Sequence, residues 1–167
     1  MFGAKAWGGN LLCVRGKHGY HRLMTASAMT IPEIEELLRR EFPQAMREGG
    51  GIKIEHVEYG FARVRKAFSP KSLRPGGTIS GPTMMALADF ALYVAIFSAL
   101  GPETLAVTTN LNINFLRKPE QADLIADTRL MKVGKRLVVG EVTIRSEGEE
   151  EPVAHVTATY SVPPRKA

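Results

Sequence analysis

The feature that most constrains this chain is an apolar segment at residues 84–100, MMALADFALYVAIFSAL. A helix that is apolar on every face must be buried in a protein core or in a membrane. A membrane span needs about 20 residues and disfavours an acid at its centre. This segment has 17 residues and contains Asp89. We therefore predict the core helix of a single domain, and no membrane span.

The flanking residues define the ends of this helix. Ser80 is a suitable N-cap, Pro82 is tolerated in a first turn, and Gly101-Pro102 stops the helix. The segment before the helix, residues 69–77, contains two prolines and paired glycines, which predicts a loop.

After the helix the apolar period changes to two. Alternate residues from Leu105 to Phe115 are mostly apolar, which predicts a strand with one buried face. Two more strands, at about 124–133 and 136–145, are joined by Gly134-Lys135, and a last strand covers about 153–162. Strands that follow one another without helices between them favour an antiparallel sheet, here a four-stranded meander.

A short helix precedes these elements. Thr30 as N-cap, Pro32 in the first turn and Glu33 completing a capping box predict its start, and Pro43 its end. One strand is expected over 52–67, with an interruption near Glu55–His56 that is typical of a bulge. The fold class is α+β: a long central helix wrapped by a curved antiparallel sheet, preceded by a short helix.

The excess positive charge is confined to the N-terminal arm. Residues 1–28 contain four basic residues and no acid, so they carry +4 of the net +5, and the rest carries +1. We therefore expect a domain at 29–167 that binds no nucleic acid. For residues 1–28 two interpretations are open: a transit-peptide-like leader, or a disordered leader with the natural start at Met29.

Cysteine and histidine usage indicates no metal or redox chemistry. Cys13 is the only cysteine, so an intrachain disulfide and a cysteine-rich zinc site are excluded, and the four histidines are not clustered. We expect no cofactor and a reducing, cytoplasmic location.

Asp89 is the residue that needs an explanation. Burying an ionised carboxylate is costly unless it is paired, and the helix contains no lysine or arginine. One interpretation is structural: Asp89 accepts hydrogen bonds from loop amides or from the Thr108 and Asn110 face of the next strand. The other is functional: Asp89 is a general base or nucleophile in a partly dry cleft.

The start of the same helix offers donors for an oxyanion. The amides of Gly81 and Thr83 are natural candidates, although an ordinary Ser80-capped helix start has the same appearance. Ser80 and Asp89 are about 13 Å apart along the helix and face opposite sides. If both ends serve one site, that site requires two antiparallel copies of the helix, and hence a homodimer.

Four segments carry a family resemblance. Ser80-Gly81-Pro82 stands where PaaI-type hotdog thioesterases have His-Gly-Gly, and Leu87-Ala88-Asp89 places the acid in the family's register. Val107–Pro119 is similar to the family's next strand, which ends in a Phe-x-Arg-Pro-like motif. Gly134-Lys135-Arg136 resembles its Gly-Arg hairpin. The resemblance covers roughly residues 50–163.

This resemblance implies a hotdog-fold enzyme that hydrolyses a medium-chain or aromatic acyl-CoA. Asp89 would activate water or attack the thioester carbonyl, and the Gly81 amide of the partner subunit would polarise that carbonyl. Thr108 stands where the family often has a hydroxyl that positions water. A homodimer, or a dimer of dimers, is expected.

Three departures from the family pattern leave an alternative open. Serine replaces histidine at Ser80, proline replaces the second glycine at Pro82, and Arg74 stands where an amide side chain is common. The carbonyl-binding side is therefore poorer in donors, which favours the alternative of a non-catalytic module that binds acyl-CoA or an acyl carrier. A dehydratase-type activity is less favoured because no histidine lies between Val57 and Val153.

Coenzyme A carries phosphates, so its binding calls for positive charge. The candidate residues are Arg74, Arg117, Lys118, Lys135 and Arg136. For each one taken singly, the alternative is a solvated loop or strand end.

Overall fold

The computed structural model describes residues 26–46 and 50–163, together with the backbone of two short strands, β1 (Cys13–Gly16) and β2 (Gly19–Arg22). The two strands pair antiparallel. The predicted leader, residues 1–28, otherwise lies mostly outside the described residues. Its nature, and the domain boundary at 29, therefore stay predictions.

Helix α1 (Ile31–Glu41) begins at the predicted capping box. The Glu33 carboxylate accepts from the Thr30 backbone N–H and from the Thr30 hydroxyl, both at 2.7 Å. The apolar stripe of Ile34, Leu37 and Leu38 is buried against the rest of the fold. The predicted start and the buried stripe of this helix are confirmed.

Six antiparallel strands form the main sheet, in the order β3-β4-β8-β9-β10-β7. They are β3 (Ile52–Glu58), β4 (Phe61–Lys66), β7 (Val107–Phe115), β8 (Leu124–Val133), β9 (Leu137–Ser146) and β10 (Ala154–Ser161). Between β4 and the central helix, a 3₁₀ turn at Pro70–Ser72 is followed by the two-residue strands β5 (Leu73–Arg74) and β6 (Thr78–Ile79).

The single strand expected over 52–67 is wrong, because this segment is the β3–β4 hairpin. The chain reverses at Tyr59-Gly60, where Gly60 has φ +70°, a conformation that favours glycine. The expected interruption near Glu55 is confirmed as a bulge, since the register shifts between Ile54 and His56.

The expected four-stranded meander is also only partly right. Strands β8, β9 and β10 do form a meander, but β7 pairs with β10 at one edge of the sheet and not with β8. Residues 116–123 carry the chain from that edge to the position of β8 beside β4. The period-two pattern identified the strands, but such a pattern carries no information about their spatial order.

The central helix α2 (Gly81–Leu100) lies in the concave face of the sheet, as predicted, and ends at Gly101 with φ +82°. Ala88, Ala91 and Ala95 are fully buried, which lets the sheet approach the helix closely. The helix is long and apolar enough to cross a membrane, but 56% of its most apolar window is buried in the fold. This burial supports the prediction of a core helix.

One side of the fold remains uncovered. Strand β7 was expected to bury one face, yet Val107 is 58% exposed and Phe115 50% exposed. Met85 on α2, in the segment expected to be apolar and buried all round, is 40% exposed. The reason is positional: β7 is an edge strand, so among the described residues one of its edges and the adjacent strip of α2 have no neighbour.

Candidate active site

Asp89 lies in the third turn of α2, half-buried at the uncovered side of the fold. Its Oδ1 atom accepts a hydrogen bond from Thr108 Oγ1 at 2.6 Å and another from the Tyr160 hydroxyl at 2.6 Å. The Tyr160 hydroxyl also lies 2.8 Å from the main-chain oxygen of Asp89. No side chain of the described residues donates to Oδ2.

A β-bulge brings Thr108 to this position. The register between β7 and β10 shifts between Thr159 and Tyr160, so Tyr160 pairs with Thr108 and Thr159 pairs with Asn110. Directly opposed residues in an antiparallel pair point to the same face, so Thr108 shares the helix-facing side with Tyr160. Bulges commonly redirect side chains in this way near active sites.

Tyr160 is protonated and acts as the donor in this contact. Burial raises the pKa of the Tyr160 hydroxyl well above its ordinary value, and its hydrogen bond to Asp89 raises it further. The side chain is 3% exposed. Two hydroxyl donors thus hold one oxygen of the carboxylate, which makes that carboxylate a fixed acceptor.

A cavity of about 1090 Å³ opens beside Asp89. Its walls are largely apolar, and they include Phe42, Ile52, Leu87, Phe90, Tyr93 and Val107. Three charged side chains, Glu41, Lys66 and Lys71, also line it. This volume suits a ligand of the size of a small organic acyl group with part of its carrier.

The start of α2 differs from the prediction in one respect. Ser80 is the N-cap by position, but its hydroxyl bonds the Thr83 hydroxyl at 2.9 Å and caps no backbone amide. In the described part of the chain, the Gly81 N–H has no acceptor. A Cβ added at Gly81 would lie 3.0 Å from the Phe115 ring, so little room exists for a side chain there.

Gly81 and Asp89 cannot serve one carbonyl within a single chain. They are eight residues apart on a straight helix, which places them about 12 Å apart along the axis. The Gly81 amide and the Asp89 carboxylate are thus two separated half-sites, each at the uncovered side of the fold.

Of the five cations predicted to bind coenzyme A, Arg74 and Arg117 have defined surroundings. Arg74 is exposed at the end of β5, where its carbonyl accepts from the Gly77 N–H at 3.1 Å. Arg117 forms an ion pair with Glu151. Neither residue lines the cavity.

Within one chain, the four predicted cations outside Arg74 form two distant pairs and not one cluster. Arg117 and Lys118 follow β7, at the sheet end where Phe115 pairs with Ala154. Lys135 and Arg136 lie in the β8–β9 turn, next to the opposite end of β10. Strand β7 is nine residues long, so about 30 Å separates the two pairs. All four side chains are exposed.

Tyr160 is the site residue that the sequence reasoning did not identify. It lies on the buried face of the last strand. The available signal was its hydroxyl, the single polar group in a row that otherwise reads Ala154, Val156, Ala158 and Val162. A buried tyrosine hydroxyl requires a hydrogen-bond partner.

Both interpretations of Asp89 are partly realised. The hydrogen bond from Thr108 is the contact that the structural interpretation predicts. The functional interpretation requires a free carboxylate oxygen beside a cavity, and Oδ2 and the cavity meet that requirement. Among residues 26–46 and 50–163 no group of three or more His, Cys, Asp or Glu side chains is placed to hold a metal ion.

Comparison with known proteins identifies the family. Residues 76–153 match the model of the thioesterase superfamily. A protein of Saccharolobus solfataricus, provisionally named an esterase, is 30% identical over 69% of this chain and 74% of its own length.

Solved structures agree with this match. A provisionally named thioesterase from Silicibacter sp. is 41% identical, with a TM-score of 0.73 over 85% of this chain and 95% of its own. A mutant of PaaI from Thermus thermophilus, named a phenylacetic acid degradation protein, is 26% identical, with a TM-score of 0.61 over 71% and 97%. The chain therefore belongs to the thioesterase superfamily, as a hydrolase with the hotdog fold.

Proposed function

We propose that the protein hydrolyses medium-chain or aromatic acyl-CoA thioesters as a homodimer, or as a dimer of dimers, with Asp89 as general base or nucleophile. The observation that carries this proposal is the position of Asp89. Its Oδ1 is held by two hydroxyls, while Oδ2 is free beside a cavity of about 1090 Å³. The family membership of the chain supports thioester hydrolysis in general.

The acyl class is inferred from the cavity walls. Phe42, Phe90 and Tyr93 contribute aromatic surface, and Ile52, Leu87, Leu105 and Val107 contribute aliphatic surface. Such a lining favours a compact apolar acyl group, because apolar surface removed from water drives its binding. The name of the Thermus neighbour, which refers to phenylacetic acid degradation, supports an aromatic acyl group.

In the proposed reaction the free Oδ2 of Asp89 faces the thioester carbonyl. As a general base it takes a proton from water while the water oxygen attacks the carbonyl carbon. As a nucleophile it attacks that carbon itself, and water then hydrolyses the acyl intermediate. In both cases the C–S bond breaks and the CoA thiolate leaves and takes up a proton, so no cofactor is needed.

The oxyanion donor is proposed to be the Gly81 amide of a second copy. Two observations support a dimer across the uncovered side. Strand β7 has one unpaired edge, and exposed apolar side chains lie beside it, including Met85, Leu105 and Val107. Antiparallel packing of two α2 helices would bring the amide of one copy to the carboxylate of the other. Pro82 offers no N–H, so Gly81 and Thr83 are the remaining donors.

The same arrangement would bring the two separated pairs of cations close together. If two β7 strands pair antiparallel, the end of one lies beside the start of the other. Arg117 and Lys118 of one copy would then approach Lys135 and Arg136 of the partner, as the binding site for the coenzyme A phosphates. Arg74 stays a separate candidate on the loop before α2.

The test is a CoA-release assay across acyl lengths with wild type and Asp89→Asn. We expect the variant to lose about 10²–10⁴-fold in kcat, the usual contribution of a general base, while its oligomeric mass is unchanged. Glu150→Gln, which neutralises an exposed loop acid, is the matched control and should retain wild-type turnover. Comparable turnover in Asp89→Asn and wild type would refute the proposal.

A further inference from the structure

We infer that Tyr160 is a positioning residue for the proposed reaction: it fixes the Asp89 carboxylate so that Oδ2, and not Oδ1, faces the substrate. The inference rests on the proposed function of Asp89. It adds a residue on β10 that the sequence pattern assigns only to core packing, and it specifies which carboxylate oxygen reacts.

The first support is the geometry of the contact. The Tyr160 hydroxyl lies 2.6 Å from Asp89 Oδ1 and 2.8 Å from the Asp89 main-chain oxygen, so it binds both the side chain and the helix backbone. Thr108 Oγ1 lies 2.6 Å from the same Oδ1. With Oδ1 occupied by two donors, the second oxygen is the one available for proton transfer.

The second support is the rigidity of the donor. Tyr160 is 3% exposed, and its strand pairs on both sides, with β9 and with β7. Its ring stacks beside that of Tyr93, with 6.5 Å between centroids and an angle of 13°. Burial raises the pKa of its hydroxyl, so the hydroxyl keeps its proton across the working pH range. Thr108, in contrast, is exposed in the single chain.

The third support is the absence of a competing charge partner. Charged side chains that line the same cavity are Glu41 from α1, Lys66 from β4 and Lys71 from the 3₁₀ turn. Lys66 donates instead to the Gly50 carbonyl at 2.7 Å. Within the described residues Asp89 forms no ion pair, so hydroxyl hydrogen bonds alone orient it.

The test is the pH–rate profile of CoA release for Tyr160→Phe. A hydrogen bond to a charged group is lost, so we expect kcat to fall about 10- to 100-fold and KM to change little. Because the lost bond favours the ionised carboxylate, the acid limb of kcat should move to higher pH.

Tyr59→Phe is the matched control. It also removes one tyrosine hydroxyl, but Tyr59 lies in the β3–β4 turn and does not line the cavity. We expect its acid limb and its kcat to coincide with those of wild type. If Tyr160→Phe and Tyr59→Phe have the same acid limb and the same kcat, the positioning role is refuted.

The role of Asp89 is tested separately in the same series. If Asp89→Asn keeps wild-type turnover, the proposed function fails. If Asp89→Asn is inactive while Tyr160→Phe retains both the wild-type profile and rate, only the positioning role fails.

A second variant covers the case in which Tyr160→Phe does not fold. Replacing Tyr160 with 3-fluorotyrosine keeps the ring and the hydrogen bond but makes the hydroxyl a stronger donor. The acid limb should then move to lower pH, opposite in sign to the phenylalanine variant. An unchanged acid limb in a folded fluorotyrosine protein would overturn the inference.

Discussion

At the scale of single residues, the site depends on one carboxylate in an otherwise apolar helix. The costs of burying Asp89 are offset by two hydroxyl hydrogen bonds to Oδ1. Thr108 is brought to Asp89 by the bulge in β7, and Tyr160 reaches it from the end of β10. Oδ2 is left without a protein donor among the described residues, which is the condition that chemistry at this atom requires.

Gly140 controls how closely the sheet approaches the helix that carries Asp89. A Cβ at this position would lie 2.5 Å from Leu92 Cδ2 and 3.1 Å from the Arg129 carbonyl oxygen. Gly140→Ala should therefore overpack the core and lower the free energy of unfolding by about 1–3 kcal/mol. Urea denaturation measures this change.

A double-mutant cycle identifies the cause of that loss. Leu92→Ala alone creates a cavity and should cost about 2–5 kcal/mol. If the clash with Leu92 is responsible, the Gly140→Ala, Leu92→Ala double variant should lose less than the sum of the single variants. Strictly additive losses would show that the 140 position acts through another contact.

At the scale of elements, the important relation is between β7 and α2. Both have an uncovered side, and the two uncovered sides are adjacent. An unpaired edge strand flanked by exposed apolar residues invites pairing with another chain. The half-buried carboxylate lies at this same side, so the surface proposed as the interface is also the surface of the proposed chemistry.

A charge placed on the uncovered strip should disrupt the proposed dimer. Met85 is 40% exposed on α2, and Met85→Lys would put an ammonium group into the interface. We expect the molar mass from light scattering to fall toward that of a single chain, with loss of turnover, because desolvating an unpaired charge is costly. Met131 on β8 is the matched control at 64% exposure, and Met131→Lys should leave both properties unchanged. Equal masses for the two variants would contradict this interface.

At the scale of the whole molecule, much of the fold follows from local patterns. The capping box at Thr30, the limits of α2 and the strand positions after it all depend on neighbouring residues, and each was predictable. The β3–β4 turn at Gly60 was missed because a lone Tyr-Gly step is a weak turn signal. The placement of β7 beside β10 depends on long-range pairing, which periodicity does not encode.

The candidate site was predictable to a similar extent. Asp89 stood out by its chemistry alone, and Thr108 was named both as a hydrogen-bond partner for Asp89 and through the family resemblance. The partner of Tyr160 could not be predicted, because its contact with Asp89 joins residues 71 positions apart. The large distance between Arg117 and Lys135 likewise follows only from the strand order.

The central claim is that each active site combines Asp89 of one copy with the Gly81 amide of the other. Two inactive variants can test it directly. Asp89→Asn removes the carboxylate, and Gly81→Pro removes the amide N–H. Proline suits this first helical position, since the preceding Ser80 is already extended, with ψ 149°. The new Cβ would meet the end of the Phe115 ring, which is half exposed and has room to shift.

The decisive measurement is CoA release from an equimolar mixture of these two variants after unfolding and refolding together. Random pairing makes half of the dimers mixed, and each mixed dimer has one intact site of two, so about a quarter of wild-type activity should return. If each site were built within one chain, every site in the mixture would lack one group. Activity no greater than that of the separate variants would contradict the account.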